Sequence, residues 1–166
     1  MTIYGRTVGK FCKFQISDNS STMRDIPVNS FGSIGLSYAE TDVSALQEAI
    51  TSMLPGQGSF STTISGPWDN STSVTASAST ERPALSGSHT VLEPLNGGVE
   101  AKSFGVYFGV RADWVDADPV FGGIKSVLVS NYTVNPDSMT YSVTISTAGN
   151  RNNDPDWGTS AITATS

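Results

Sequence analysis

Strict alternation of apolar and polar residues dominates this chain, and a period of two predicts β-strands. The clearest alternating sets are Cys12/Phe14/Ile16, Ile34/Leu36/Tyr38, Phe60/Thr62/Ile64 and Phe104/Val106/Phe108/Val110. Two further strands, residues 126–134 and 138–146, flank the sequence Asn135-Pro136-Asp137. A proline at the second position of a turn pre-sets its φ, so these two strands are predicted to form a hairpin.

Two stretches carry helical signals instead. Residues 43–54 place Val43, Leu46, Ile50 and Leu54 at helical spacing, and Pro55 follows at once. The second stretch, residues 86–92, is predicted to be a short helix that closes at the Pro94 and Asn96-Gly97-Gly98 breakers. The sequence therefore predicts a mainly β protein with one or two short helices.

The chain has 166 residues, which suits a single domain spanning residues 1–166. No internal repeat or linker divides it. The tail, about residues 149–166, is polar and turn-like at its start, and we expect it to be the most mobile part unless a neighbour holds it.

Composition narrows the classes of function. Only 14% of the residues are charged, and the net charge is −6. A protein that grips nucleic acid needs clusters of Lys and Arg, which this balance does not supply. An acidic or neutral wall could still surround DNA and let it slide. Residues 1–10 contain no apolar stretch, so we expect no secretory signal, and no apolar run approaches the length that spans a membrane.

The residues offer little for catalysis. Cys12 is the single cysteine and His89 the single histidine, so no cysteine metal cluster is possible, and a triad would rest on His89 beside Ser86 and Ser88. The acidic stretch Asp113, Asp116 and Asp118 lacks the spacing and glycine of a calcium loop. A carbohydrate-binding site would need Trp68, Trp114 or Trp157 beside acids. We predict no catalytic residue, metal or cofactor.

The order of the segments resembles the major tail tube proteins of long-tailed, non-contractile bacteriophages. The resemblance spans about residues 10–70, and the strands from Phe121 to Ile145 are similar to the family's closing strands. The matching segments are Ile16-Ser17-Asp18-Asn19-Ser20, Met23-Arg24-Asp25-Ile26, Ser33-Ile34-Gly35-Leu36-Ser37, Glu40-Thr41-Asp42-Val43, Met53-Leu54-Pro55-Gly56 and Gly66-Pro67-Trp68-Asp69. Residues 71–100 and the loop from Trp114 to Pro119 depart from the family pattern.

This resemblance implies a β-sandwich or split-barrel subunit with a helix packed against it. Six copies would form a ring, rings would stack, and the inner sheets would join into one ring-shared β-barrel. The implied partners are other copies, a tape measure protein and tail-end proteins, with duplex DNA passing through without specific binding. The protein would be made in the host cytoplasm and reside in the virion tail. A tail terminator or baseplate ring, a capsid decoration protein, and a carbohydrate-binding or hydrolytic β-sandwich are the alternatives.

Two surfaces are predicted to serve assembly. The first is an inter-ring contact made by Glu40, Asp42, Val43, Leu46, Ile50 and Leu54, because so long a connection is usually functional or disordered. The alternative is that this segment is a helix packed on its own subunit's core. The second is an acidic or neutral channel wall, for which the polar face Ser59, Ser61, Thr63 and Ser65 is one candidate. A lumen ringed by Lys10, Lys13 or Lys125 would contradict it.

Overall fold

A computed structural model describes residues 9–46, 49–76, 85–110, 113–149 and 154–164. In these ranges the chain forms one α-helix and ten strands, after a short 3-10 turn at Gly9–Phe11. The strands are β1 (Cys12–Ser17), β2 (Met23–Ile26), β3 (Ser30–Phe31), β4 (Ser37–Asp42), β5 (Met53–Ser59), β6 (Ser61–Pro67), β7 (Lys102–Phe108), β8 (Val120–Asn135), β9 (Thr140–Thr147) and β10 (Asp156–Gly158), and the helix is α1 (Ser88–Leu95).

Most strands join one antiparallel sheet in the order β2-β1-β7-β8-β9-β6-β3. The long strand β8 belongs to both halves of it, since its first part pairs with β7 and its second with β9. The pairing shifts register on both sides of β8, and Lys125 and Asn131 adopt positive φ of 48° and 54°. Such irregularities bend a strand, so the sheet folds back over itself.

The two ends of this sheet are neighbours in the chain. Strand β2 ends at Ile26, β3 begins at Ser30, and residues 27–29 connect them. The Tyr141 hydroxyl donates to the Pro27 carbonyl oxygen at 2.7 Å and ties β9 to this corner. The architecture is therefore a split β-barrel, which confirms the predicted fold class.

A single large cluster of buried side chains fills the barrel. It combines alternate residues of β1, β6, β7, β8 and β9 with the inner face of α1, which contributes Val91, Leu92 and Leu95. The second predicted helix is confirmed, but it continues through Pro94, where we expected it to stop, and ends at Leu95. The N–H of the capping residue Asn96 donates to the Glu93 carbonyl. We call β2, β1, β7 and the start of β8 the first half of the sheet, and the rest of β8 with β9, β6 and β3 the second half. In the first half, β7 is buried on both faces up to the half-buried Phe108.

The C-terminal segment, residues 154–164, lies against the outer face of the sheet, while its predicted mobility stays a prediction. Strand β10 pairs with the start of β8. Beyond it, Ile162 lies over the cross-strand glycines Gly105 and Gly122, where a Cβ on either would come within 3.2 Å of its side chain. The Ile162 N–H also donates to the Tyr107 hydroxyl at 2.9 Å, and burial raises the pKa of Tyr107 to about 12.

Strand predictions in the barrel are largely confirmed. Strands β1, β6 and β7 and the β8–β9 hairpin lie where the alternation placed them, although Val110 falls outside β7. The set Ile34/Leu36/Tyr38 is only partly a strand, because β4 begins at Ser37 and Ile34 and Leu36 pack against the core. Cys12, at the start of β1, is half-buried.

The predicted helix at residues 43–54 is wrong. Residues 53–54 are the start of β5, residues 43–46 and 49–52 form a loop, and residues 47–48 lie outside the described ranges. An amphipathic helix of this length is stabilised by packing its apolar face on a core. No such packing exists here, since Val43, Leu46, Ile50 and Leu54 are all exposed. The alternative of a helix on the subunit's own core is therefore wrong as well.

Candidate functional site

The most conspicuous feature of the surface is an arm, which we define as β4, β5 and the loop at residues 43–52. Strands β4 and β5 pair with each other and with no other described strand. Every residue of both strands is exposed. A two-stranded hairpin in water is marginally stable at best, so the arm gains stability if something packs on it.

Hydrogen bonds hold the base of the arm's loop in shape. The Asp42 carboxylate accepts the Ser44 N–H at 2.9 Å, and hydrogen bonds from Ser44 lower the pKa of Asp42. The Ser52 N–H donates to the Ser44 hydroxyl at 2.5 Å. These contacts fix the loop where it leaves the strands, while its apolar side chains face solvent, Ile50 with 82% of its surface exposed.

The pairing within the arm fixes which backbone groups are already bonded. The Val43 N–H donates to the Ser52 carbonyl oxygen at 2.9 Å. Bonded and non-bonded pairs alternate along an antiparallel ladder, so Thr41 and Leu54 form the next bonded pair. The alternate pairs, Asp42 with Met53 and Glu40 with Pro55, are not bonded to each other. Their C=O groups, and the N–H groups they have, therefore point away from the hairpin.

The two outer edges of the arm consequently differ. On β4 the N–H groups of Glu40 and Asp42 point outward, and on β5 the corresponding residues are Pro55 and Met53. Proline has no N–H, so the β5 edge lacks a donor at Pro55, opposite Glu40. Strand β4 contains no proline, and it is the edge better suited to pair with a further strand.

All six residues predicted to make an inter-ring contact lie on the arm. Glu40 and Asp42 are on β4, Leu54 is on β5, and the other three are in the loop. The structure thus brings them together on one projection, although by a hairpin and not by the helix that their spacing indicated.

A second surface is the outer face of the sheet's other half, which we call the hydroxyl face. Cross-strand pairs align the polar residues of β6 with those of β9, and those of β9 with β8. The hydroxyl face consists of Ser61, Thr63, Ser65, Ser142, Thr144, Ser146, Leu128 and Ser130. No member is ionisable, and each is exposed or half-buried. Of the predicted polar face, Ser61, Thr63 and Ser65 lie on β6, whereas Ser59 belongs to β5 of the arm. The alignment of three strands depends on register.

The surroundings of His89 do not form a triad. Its Nδ1 lies 3.1 Å from the Tyr132 hydroxyl, and its ring lies 5.4 Å from that of Trp68. The hydroxyls of Ser86 and Ser88 are buried and bond to backbone groups of residues 74, 67 and 69. No described carboxylate bonds to the imidazole, so the base lacks both its orienting acid and a nucleophile.

Trp114, in the acidic loop, and Trp157 both pack against other side chains of the subunit. Trp114 is buried, packs edge-on against Tyr107, and donates its indole N–H to the carbonyl oxygens of Asp118 and Pro119. It cannot offer a flat face to a sugar. Trp157 is half exposed and leans on Phe108 and Phe121. In the described part of the chain no group of three His, Cys, Asp or Glu side chains could hold a metal ion, and no helix there is long and apolar enough to cross a membrane.

One cavity of about 300 Å³ lies between β1, the β2–β3 corner and Trp114. Lys13 and Cys12 line it. Burial lowers the pKa of Lys13, against the opposing effect of Asp25 and Asp113. Burial also raises the pKa of the Cys12 thiol. A thiolate is the reactive form of cysteine, so Cys12 is poorly suited to act as a nucleophile.

We predict that His89→Ala and Cys12→Ser variants assemble like the wild type. His89→Ala loses one hydrogen bond and should cost about 1 kcal/mol of stability, and Cys12→Ser about the same. Thermal melting measures the cost and sedimentation measures the assembly. A His89→Ala protein that folds and assembles normally but yields non-infectious particles would reopen the possibility of an enzyme.

Comparison with known proteins places the fold. No family model and no curated protein sequence matches the chain. The structure is similar to the sheath/tube terminator of an extracellular contractile injection system, PVC, in its extended state, with a TM-score of 0.60 and 13% identity over 95% of this chain and 99% of that one. It is also similar to the tube-terminating cap of the anti-feeding prophage, with a TM-score of 0.54 and 8% identity over 96% and 95% of the two chains. At such identities the likeness establishes the fold alone.

Proposed function

We propose that this chain is a structural protein of a phage-like tail, and that it self-assembles into stacked rings that form the tail tube. The observation that carries the proposal is the arm. A protein that acted alone would gain nothing from an exposed hairpin with apolar side chains at its end, whereas a subunit gains a contact with its neighbour. The order of sequence segments that resembles tail tube proteins and the split-barrel fold support the same function.

The arm contacts an adjacent ring in this proposal. Burying a large apolar side chain contributes about 1.5–3 kcal/mol, so Leu46 and Ile50 alone can stabilise each contact by several kcal/mol. The open β4 edge at Glu40 and Asp42 adds a strand to the neighbouring copy through backbone hydrogen bonds. Because this contact joins one ring to the next, it repeats along the tube axis and does not close on itself.

The remaining parts of the proposal follow from the resemblance. Six copies form each ring, a tape measure protein and tail-end proteins are further partners, and duplex DNA passes through the channel without specific binding. The protein resides in the tail of the virion. It has no catalytic role and needs no cofactor.

A tail terminator is the second candidate, and the similarity to two tube-terminating proteins favours it. A terminator closes the end of a tube and stops at a ring, whereas a tube protein adds rings without limit. The two candidates therefore differ in how the size of the assembly depends on concentration.

Sedimentation velocity of the purified protein over a range of concentrations tests the proposal. We expect species much larger than the 17.4 kDa subunit, and their size should keep growing with concentration if the protein forms tubes. A single ring species of constant size would favour the terminator. A monomer at every concentration would contradict both.

A further inference from the structure

The barrel has two broad outer faces, and they differ in whether solvent reaches them. On the first half of the sheet, Gln15, Ser103 and Tyr107 point outward from β1 and β7, and all three are buried. Segment 154–164 covers this side, with Ile162 over the glycine pair. On the second half, nothing among the described residues covers the hydroxyl face.

The register of the strands sets the chemistry of the hydroxyl face. Ser61, Thr63 and Ser65 of β6 lie directly opposite Ser146, Thr144 and Ser142 of β9. The next strand adds Leu128 and Ser130 in the same register. The intervening residues of these strands, such as Ile64, Val143 and Ile145, are buried in the core. One side of these strands thus packs on the core, and the other side is uncharged and carries a hydroxyl group at every position except Leu128.

The arm is joined directly to the hydroxyl face. Phe60 alone separates β5 from β6, so a hairpin that reaches towards another ring is a continuation of a strand of the hydroxyl face. Phe60 itself is buried against Phe104 and Phe121, which anchors the junction. Since the arm is proposed to contact the next ring, the strand β6 that leads into it runs along the axis on which the rings stack.

We infer that the hydroxyl face is the wall of the channel and that its contacts with passing duplex DNA are made through water. The inference rests on the proposed function and identifies the channel-lining surface of this chain. A channel built from strands of each copy needs an open strand face, and the covered first half cannot supply one. Neutral hydroxyls hydrogen-bond to water and carry no cation, so passing phosphates release no counterions and are not held.

Alternative positions for the channel suit the molecule less well. Lys13 lies over the Tyr107 ring, 5.2 Å from its centroid, on the covered side of the sheet. Arg24 is paired with Asp18 at 2.7 Å. Lys102 is buried and paired with Glu100 at 2.9 Å. These cations are already used within the subunit and do not form a basic wall.

Selective thiol labelling of assembled protein tests the inference. Thr63→Cys places a thiol on an exposed position of the hydroxyl face, and Val99→Cys places one on the α1–β7 connection, where Val99 is 95% exposed. Both are made in the Cys12→Ser background. Each assembly is treated with a small maleimide and with a maleimide that carries a long polyethylene glycol chain.

We expect Cys at position 63 to react with the small reagent, and to react with the long-chain reagent at least about tenfold more slowly than Cys at position 99, since access limits thiol labelling. Ser61→Cys, the adjacent position on the same face, should behave in the same way and replaces Thr63→Cys if that variant fails to fold. Equal labelling of positions 63 and 99 by the long reagent would place the face on the outside. Labelling of position 63 by neither reagent would place it in a subunit contact.

Either of those two results, obtained on visible rings or tubes, overturns the inference and leaves the proposed function intact. If the protein forms no rings or tubes, the proposed function fails and the inference fails with it. The two failures are therefore distinguishable in one set of samples.

Discussion

Glu40→Pro is expected to abolish the stacking of rings while the subunit stays folded. The Glu40 N–H points out of the arm, opposite Pro55, so proline at position 40 removes no bond within the hairpin. It removes a donor from the β4 edge and places a ring where a partner strand would lie. Each lost hydrogen bond costs about 1 kcal/mol, and the loss repeats at every arm contact between two rings. Sedimentation velocity should show species no larger than one ring at concentrations where the wild type forms stacked rings.

Two matched variants control for other effects of this substitution. Met53→Pro introduces proline at an outward-facing position on the β5 edge. That edge already lacks a donor at Pro55, which has no N–H. Glu40→Gln removes only the charge. Both should assemble nearly like the wild type, and all three should melt within a few degrees of it. Equal loss of assembly in Glu40→Pro and Met53→Pro would show that the β4 edge has no special role.

The second large effect is expected in the subunit itself. Trp114→Ala should destabilise the fold by about 3–5 kcal/mol, the usual cost of truncating a buried aromatic side chain. Trp114 is 2% exposed, and its indole contacts Tyr107 and bonds to two carbonyl groups of the loop that follows. For a chain of this length such a loss lowers Tm by roughly 10 °C or more.

Trp157→Ala is the matched comparison, because Trp157 is 51% exposed. It should cost less than about 2 kcal/mol, mainly from its contacts with Phe108 and Phe121. Calorimetric melting of both variants decides the matter. If Trp114→Ala melts like the wild type, Trp114 is not tightly packed against Tyr107 and does not stabilise this side of the sheet.

Local patterns were sufficient to predict β1, β6, β7 and the β8–β9 hairpin, but not the short strands β2, β3 and β10. The β8–β9 hairpin was recognisable because Pro136 marks its turn and apolar residues alternate on both sides. Strands β1 and β7 were recognisable in the same way. These elements bury their apolar faces within the subunit, which is the situation that sequence periodicity describes.

The arm could not be predicted in the same manner. Val43, Leu46, Ile50 and Leu54 have helical spacing, but periodicity locates an element only when its apolar face packs on the same chain. Here the side chains are exposed, and we propose that they serve a neighbouring copy. The cover formed by β10 and Ile162 was missed for a different reason, since its contacts with Gly105 and Gly122 join residues distant in sequence.

The candidate sites were predictable to different degrees. The six arm residues were selected from the length of the connection and lie on one exposed hairpin, although its conformation was wrong and their inter-ring contact stays a prediction. The β6 part of the hydroxyl face was recognisable from the alternation of Ser61, Thr63 and Ser65, although Ser59 of the same predicted face lies in β5. Its extension over β9 and β8 depends on strand register, which no local pattern specifies.

Electron microscopy of the purified wild-type protein tests the central claim most directly. The account predicts closed rings with a central channel, stacked into tubes as the concentration rises. Particles of single-subunit size at all concentrations, without rings or tubes, would contradict it.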